Sequence, residues 1–261
     1  MLRRCSRWIG RGKGKAQMQT QLDEHILQRI NATAISDDPF AHLFVEDVFP
    51  GDFYTQIVQN LPDFDAFVVF AETGRVGEDY NPNRLFLSSA EQDLERLPPH
   101  LRPFWQNLFS TIDSLTLLQG LINKFHTHIG ARFQDPKMLI TNGELDIGLR
   151  VSMVRDRTGF ELGPHTDGLK KILSGLFYLP ADDSHLELGT SLYTPTDPTF
   201  KCPGGPHYGF EGFSRAKTMP FKPNTFFMFV KTDDSFHGVE EVIGEASRDI
   251  LFLDIVGYPV G

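Results

Sequence analysis

Cysteine is nearly absent: the chain carries Cys5 and Cys202 alone, too few for a disulfide framework or a thiolate metal cluster. A reducing compartment is therefore expected, the cytoplasm first. Long apolar runs are missing as well. Hydrophobic residues make up 40% of the chain, yet none of their runs approaches the roughly 20 residues that cross a bilayer, so no membrane span is expected. Positive charge is outweighed, with 25 Lys and Arg against 34 Asp and Glu. The formal net charge of -9 argues against nucleic acid as the main partner. Neither repeats nor low-complexity tracts occur. One stretch reverses the charge: Arg3, Arg4, Arg7, Arg11, Lys13 and Lys15 all precede the first acid, Asp23. Such segments resemble organellar transit peptides, but the simpler reading is a disordered basic extension over residues 1–20. No apolar core accompanies it, which excludes an ordinary secretory signal. Residues 21–261 then form one domain, long enough to bury a large core.

The first half of the chain reads as mixed. Apolar residues at 22, 26, 27 and 30 predict an amphipathic helix over Gln21–Ile30. A strand over His42–Phe49 runs into a turn at Pro50-Gly51, and Asp52–Leu61 reads as a helix closed by Pro62. Ala66–Phe70 is strand-like, and Gly74–Pro82 is a loop. Ser89-Ala-Glu-Gln92 resembles a capping box, and helical periodicity continues over Leu101–Phe109 and Ile112–Phe133, with Leu115, Leu118, Ile122 and Phe125 as the buried stripe. His126 and His128 lie in that helix, where residues two apart diverge and cannot share an ion. From Leu145 the texture changes to eight short strands: Leu145–Val154, Phe160–His165, Lys171–Leu179, Leu188–Tyr193, Thr218–Phe221, Asn224–Lys231, His237–Val242 and Arg248–Val256. That succession predicts a mainly β fold with flanking helices, a double-stranded β-helix or jelly roll of the cupin-like kind.

Within those strands His165 and Asp167 stand two apart, a spacing that puts both side chains on one face of an extended chain. His237, opening a later strand, would complete two imidazoles and one carboxylate. Such a set occupies one face of an octahedron and leaves three positions open, as in non-haem Fe(II) oxygenases. Eleven residues on, Arg248 opens an otherwise apolar strand. A cation there needs a partner, and a carboxylate held bidentately is the natural one.

These residues resemble the Fe(II)/2-oxoglutarate-dependent oxygenase superfamily, in its prolyl-4-hydroxylase-like branch. The resemblance makes His165, Asp167 and His237 the iron ligands and catalytic set, and Arg248 the holder of the far carboxylate of 2-oxoglutarate. The lead-in Arg155 to Pro164 is similar to the branch's R-Y-x-x-G…P-H-x-D rhythm at Arg155, Gly159 and Pro164, with Asp156 in place of the aromatic. Leu188-Gly189-Thr190-Ser191 resembles its G-G-E-T strand and sets Ser191 where a cosubstrate-contacting Thr belongs. Pro39–Pro50 is similar to the opening strand of many such enzymes.

The resemblance implies a dioxygenase that consumes O2 and 2-oxoglutarate, releases succinate and CO2, and hydroxylates an unactivated C–H bond. The carboxylate ligand Asp167 favours hydroxylation over halogenation, with desaturation or ring formation open. The substrate is a small molecule or a peptide- or sugar-borne group, and the oligomeric state is left open. Two rival readings stand beside this one, a jelly-roll metalloenzyme that does not use 2-oxoglutarate and a non-enzymatic binding module. Arg150, a cation in a predicted core strand, is a candidate for a substrate carboxylate or a structural acid. Tyr208 and Phe210 lie in the long segment Thr194–Lys217, read as a lid over the metal, with His207 a lesser substrate candidate. Lys170 and Lys171 read as a solvated rim.

Overall fold

The computed structural model describes residues 13–77, 80–133 and 145–259. Residues 1–12 of the basic extension lie outside the described residues; from Lys13 onward the chain is helical, as α1, Lys13–Ala32. Leu22, Ile26 and Ile30 of α1 recur every four residues and are buried in the core under the helices. The other α-helices among the described residues are α2 (Gly51–Gln59), α3 (Glu91–Leu94), α4 (Arg102–Ile112), α5 (Leu115–Lys124) and α6 (His126–Phe133).

The periodicity read as one helix from Ile112 to Phe133 is interrupted twice. Asp113 leaves helical geometry after α4, and the Ser114 hydroxyl accepts the Leu117 N–H at 3.1 Å, capping a fresh helix. That restart rotates the stripe. Leu117, Leu121, Ile122 and Phe125 are buried, whereas Leu115 is exposed and Leu118 half-buried. At α3 the expected capping box is replaced by the preceding serine, since Ser88 Oγ bonds the Asp93 carboxylate and accepts the Ala90 N–H at 3.2 Å. His126 and His128 do diverge, one toward the Asn123 carbonyl and the other toward Asp37.

Eleven strands follow in chain order among the described residues: β1 (His42–Glu46), β2 (Val68–Val69), β3 (Arg84–Ser88), β4 (Leu145–Asp156), β5 (Leu162–His165), β6 (Lys171–Tyr178), β7 (Thr190–Pro195), β8 (Phe213–Met219), β9 (Thr225–Val230), β10 (His237–Val239) and β11 (Arg248–Pro259). The eight strands expected from Leu145 onward are thus present as β4 to β11. They split into two antiparallel sheets, β1-β9-β6-β11-β4-β3-β2 and β5-β10-β7-β8. This is the jelly roll that the strand pattern foretold, its larger sheet widened by β1, β2 and β3.

Alternation along the central strands explains the layers. On β4 and β11, Val151, Met153, Leu251 and Leu253 face the helices, while Val154 and Ile250 face the smaller sheet. Strand β9, Thr-Phe-Phe-Met-Phe-Val, is buried at every position because both its faces are covered. Phe226, Met228 and Val230 join the helix-side core; Phe227 and Phe229 join the core between the sheets. Between the sheets the packing is incomplete, and a cavity of about 1470 Å³ opens there.

Candidate functional site

Strands β5 and β10 bring the two histidines together. His165 ends β5, His237 begins β10, and the two are direct partners in the antiparallel register. Their ring centroids lie 4.3 Å apart. Close backbone approach on both strands requires glycine. A Cβ on Gly163 would stand 1.9 Å from the Tyr208 carbonyl oxygen, and one on Gly238 would stand 2.6 Å from that of Leu162. Each imidazole is oriented alike. His165 Nδ1–H donates to the Gly163 carbonyl and His237 Nδ1–H to the Ser235 carbonyl, both at 3.0 Å. A carbonyl can only accept, so the tautomer is fixed and each Nε2 keeps a free lone pair.

Asp167 follows β5 by two residues, after Thr166 has turned its hydroxyl away to the Cys202 carbonyl at 2.8 Å. Donor atoms of His165, Asp167 and His237 all fall within 4.8 Å of one another, and all three residues are buried. Burial, then His237, keeps His165 well below the ordinary imidazole range; burial likewise lowers His237. Burial works against ionisation of Asp167, but Lys171 foremost, then the two imidazoles and the Ser174 hydroxyl, outweigh it and hold the carboxyl below the usual carboxylate range. Two neutral imidazoles and a carboxylate are what a divalent first-row metal requires, with no proton to displace. Residues 165, 167 and 237 therefore fit Fe(II).

The same cavity has a basic wall. Arg248 is fully buried, donating from Nε to the Leu188 carbonyl at 2.5 Å, from Nη1 to Asp156 Oδ2 at 2.8 Å and from Nη2 to Thr190 Oγ1 at 2.9 Å. Its protein partner is thus Asp156, while the neighbouring Asp249 pairs with Arg155 at 2.7 Å. Arg84, which no sequence motif marks, grips Asp156 from the other side through Nε at 2.6 Å and Nη2 at 2.8 Å, and reaches Tyr80 Oη at 3.0 Å. Two buried guanidinium groups share one buried carboxylate, leaving one surplus positive charge. These contacts occupy three of the five N–H groups of each arginine. Both arginines line the cavity that holds the histidines, so the wall fits a carboxylate ligand, which would discharge the surplus.

No family model and no curated protein matches the chain. Solved structures do resemble it. A prolyl hydroxylase from Trichoplax adhaerens, in complex with a hypoxia inducible factor oxygen degradation domain peptide fragment, is 13% identical, with 94% of each chain covered and a TM-score of 0.49. A prolyl 4-hydroxylase from Phytophthora capsici is also 13% identical over 92% of this chain and 65% of that one, at a TM-score of 0.49. HygX from Streptomyces hygroscopicus, with nickel and 2-oxoglutarate bound, is 13% identical over 82% of both chains, at 0.43. All three scores lie below 0.5, so the chemistry here rests on this chain's own residues.

Four sequence-based expectations change. Ser191 faces away from the cavity and bonds Thr218 Oγ1 at 2.8 Å; the hydroxyl lining the cavity is that of Thr190, which also accepts from Tyr178 Oη at 2.8 Å. The reason is pleat, because neighbours on a strand leave opposite faces. Tyr208 and Phe210 do not line the cavity. They pack with Tyr193, Phe200, Cys202, Phe213 and Phe236 in a small cluster of their own, and the expected lid is tied down. Its backbone is fastened by Tyr208 N–H to the Pro164 carbonyl at 2.9 Å and by Lys231 Nζ to the Pro203 carbonyl at 2.8 Å. It is also shorter than expected, since β8 starts at Phe213 and pairs with β7 as far as Pro195. From this segment Gly205, Pro206 and His207 line the cavity, the His207 ring edge-on to His165 with centroids 4.6 Å apart. Finally, Lys171 is no solvated rim, for its ammonium lies 3.1 Å from Asp167 Oδ1. Arg150 is exposed at the cavity edge, its guanidinium 5.2 Å from the Tyr258 ring centre.

Proposed function

We propose that the chain is an Fe(II)- and 2-oxoglutarate-dependent dioxygenase that hydroxylates an unactivated C–H bond and releases succinate and CO2. One observation carries the reading: a tautomer-fixed His165–Asp167–His237 set shares a cavity with the Arg84–Asp156–Arg248 cluster and its surplus positive charge. When bound, the iron and its 2-oxoacid supply the oxidising chemistry with O2. The chain's own part is to hold and to exclude. His165, His237 and Asp167 would hold the metal from one side, leaving the other for cosubstrate and O2. Arg248 and Arg84 would receive the distal carboxylate, with Thr190 fixing the Arg248 fork in place. Phe229, whose ring centre is 4.5 Å from that of His237, and Phe252 give the cavity an apolar wall that limits water.

The basic wall disfavours a jelly-roll metalloenzyme that does without a 2-oxoacid, and the buried donor set disfavours a plain binding module. Beyond the space for metal and cosubstrate the cavity opens outward, with Arg150 at its edge to meet an acidic group of the substrate, a small molecule or a peptide- or sugar-borne group. No helix among the described residues is long and apolar enough to cross a membrane. The low cysteine count and net charge of -9 support a cytoplasmic enzyme without a nucleic-acid partner.

The direct test is succinate release from 2-oxoglutarate by purified protein with Fe(II) and O2, screened against peptides, glycosides and amino acids. Stimulation by one class identifies the substrate; no 2-oxoglutarate turnover with any, in protein that binds iron, would return the chain to the rival metalloenzymes. A sharper check separates two neighbouring hydroxyls. Thr190→Val should raise the apparent 2-oxoglutarate constant by roughly tenfold, the effect of losing about 1.4 kcal/mol of hydrogen bonding. Ser191→Ala should leave it unchanged, and equal effects of the two would undo the assignment of Thr190.

A further inference from the structure

Asp167 is held more tightly than a metal ligand needs to be. Its Oδ2 accepts the Ser174 hydroxyl at 2.5 Å and lies 3.9 Å from His237 Nε2. Its Oδ1 faces the Lys171 ammonium at 3.1 Å. Lys171 is itself anchored, because a second carboxylate oxygen, Asp254 Oδ1, lies 3.1 Å from the same ammonium as an ion pair without hydrogen-bond alignment. These groups come from two adjacent strands. Ser174 and Lys171 belong to β6, and Asp254 is the register partner of Ser174 on β11. The turn between Asp167 and Lys171 is closed by Lys171 N–H to the Gly168 carbonyl at 3.0 Å. Placement of Lys171 is thus set by backbone, by Asp254 and by the 6.0 Å approach of its ammonium to the Phe252 ring centre.

A carboxylate with two free oxygens can ligate a metal through one or both. Using both would consume one of the three positions that a bidentate 2-oxoacid and O2 require. We infer that Lys171 is a positioning residue that reserves Asp167 Oδ1 for itself, so that Asp167 ligates through Oδ2 alone and three metal positions stay open. The inference rests on the metal site proposed above. Asp254 has no part in ligation; it keeps the lysine between the two carboxylates.

The readout is the number of water molecules on the metal, which a lysine that merely neutralises buried charge would not change. The probe is Mn(II) alone, without 2-oxoglutarate, loaded into the full chain and followed by water-proton relaxation. The wild type should carry about three metal-bound waters and Lys171→Met about two, with Lys171→Arg back to about three. Metal-loaded Lys171→Met should also bind 2-oxoglutarate at least tenfold more weakly. Removing the lysine leaves the half-buried Asp254 carboxylate unpaired, which can destabilise the fold. Lys171→Met/Asp254→Asn removes that charge too and should again give about two waters. Three waters in a folded variant lacking the lysine, or two in the wild type, would overturn the role of Lys171 while leaving the metal site standing. A wild type that binds no Mn(II) or Fe(II) would overturn the site and this inference together.

Discussion

His237→Ala should abolish 2-oxoglutarate turnover and weaken metal binding by at least about 100-fold. Changing a group that only orients a metal ligand typically costs about 10- to 100-fold in affinity, and His237 is itself a donor in the proposed set. The fold should survive. His237 sits at the start of a three-residue strand whose remaining pairing, Gly238 with Ser191 and Val239 with Leu162, does not involve the ring. Circular dichroism and thermal melting of the metal-free variant should therefore stay close to the wild type. Metal analysis after gel filtration gives the decisive number, and iron stoichiometry with activity retained in this variant would sink the three-residue assignment.

Asp156→Ala should produce the largest loss of stability of any single change near the cavity. Both arginines around Asp156 are nearly or fully buried, with side-chain exposures of 7% for Arg84 and 0% for Arg248. Deleting the shared carboxylate strands two like charges, and leaving one buried ion unpaired costs about 3–5 kcal/mol. For a chain of this size that corresponds to a melting point lower by roughly 6–20 °C, at about 2–4 °C per kcal/mol. Added 2-oxoglutarate should restore part of the loss, since a ligand that binds only the folded state stabilises it by mass action. Calorimetry with and without 2-oxoglutarate checks both parts. An unchanged melting point would mean that the arginines find other partners and that the surplus-charge account is wrong.

Spacing made the proposed metal set legible: His165 and Asp167 two apart at a strand end, His237 at a strand start. Short, nearly continuous apolar runs bounded by Gly, Pro and Asp made β6, β9 and β11 legible, because both faces of those strands are covered by other layers. Most of edge strand β8 was hidden, since only its last two residues fall in the strand expected at Thr218–Phe221. Phe-Ser-Arg-Ala-Lys-Thr-Met is exposed or half-buried except at Met219, so no apolar alternation marks it and its first five residues read as loop. Arg84 was hidden for another reason: β3 is five residues wedged between an Asn-Pro turn and a short helix, too brief for periodicity to speak. Ser191 against Thr190 shows how a shift of one residue along a strand exchanges the two faces. Asp156 could be seen as a departure from the resembled motif, but its work, joining two arginines from β3 and β11, exists only once β4 lies between those strands. Lys171 is the same case, since a lysine in sequence gives no sign of a carboxylate waiting on a neighbouring strand.

The pairing of His165 with His237 has a mechanical side. Those residues are register neighbours on β5 and β10, and some seventy residues of chain separate them. An ion gripped by both imidazoles would be a rivet through two adjacent strands, closing a long loop much as a crosslink does, in a chain with almost no cysteine for the purpose. The smaller sheet has only four strands, and β10 is central to it, flanked by β5 and β7. Losing such an ion would then unfasten that sheet as well as empty the proposed metal centre, and proteases should cut the ion-free chain faster than the loaded one.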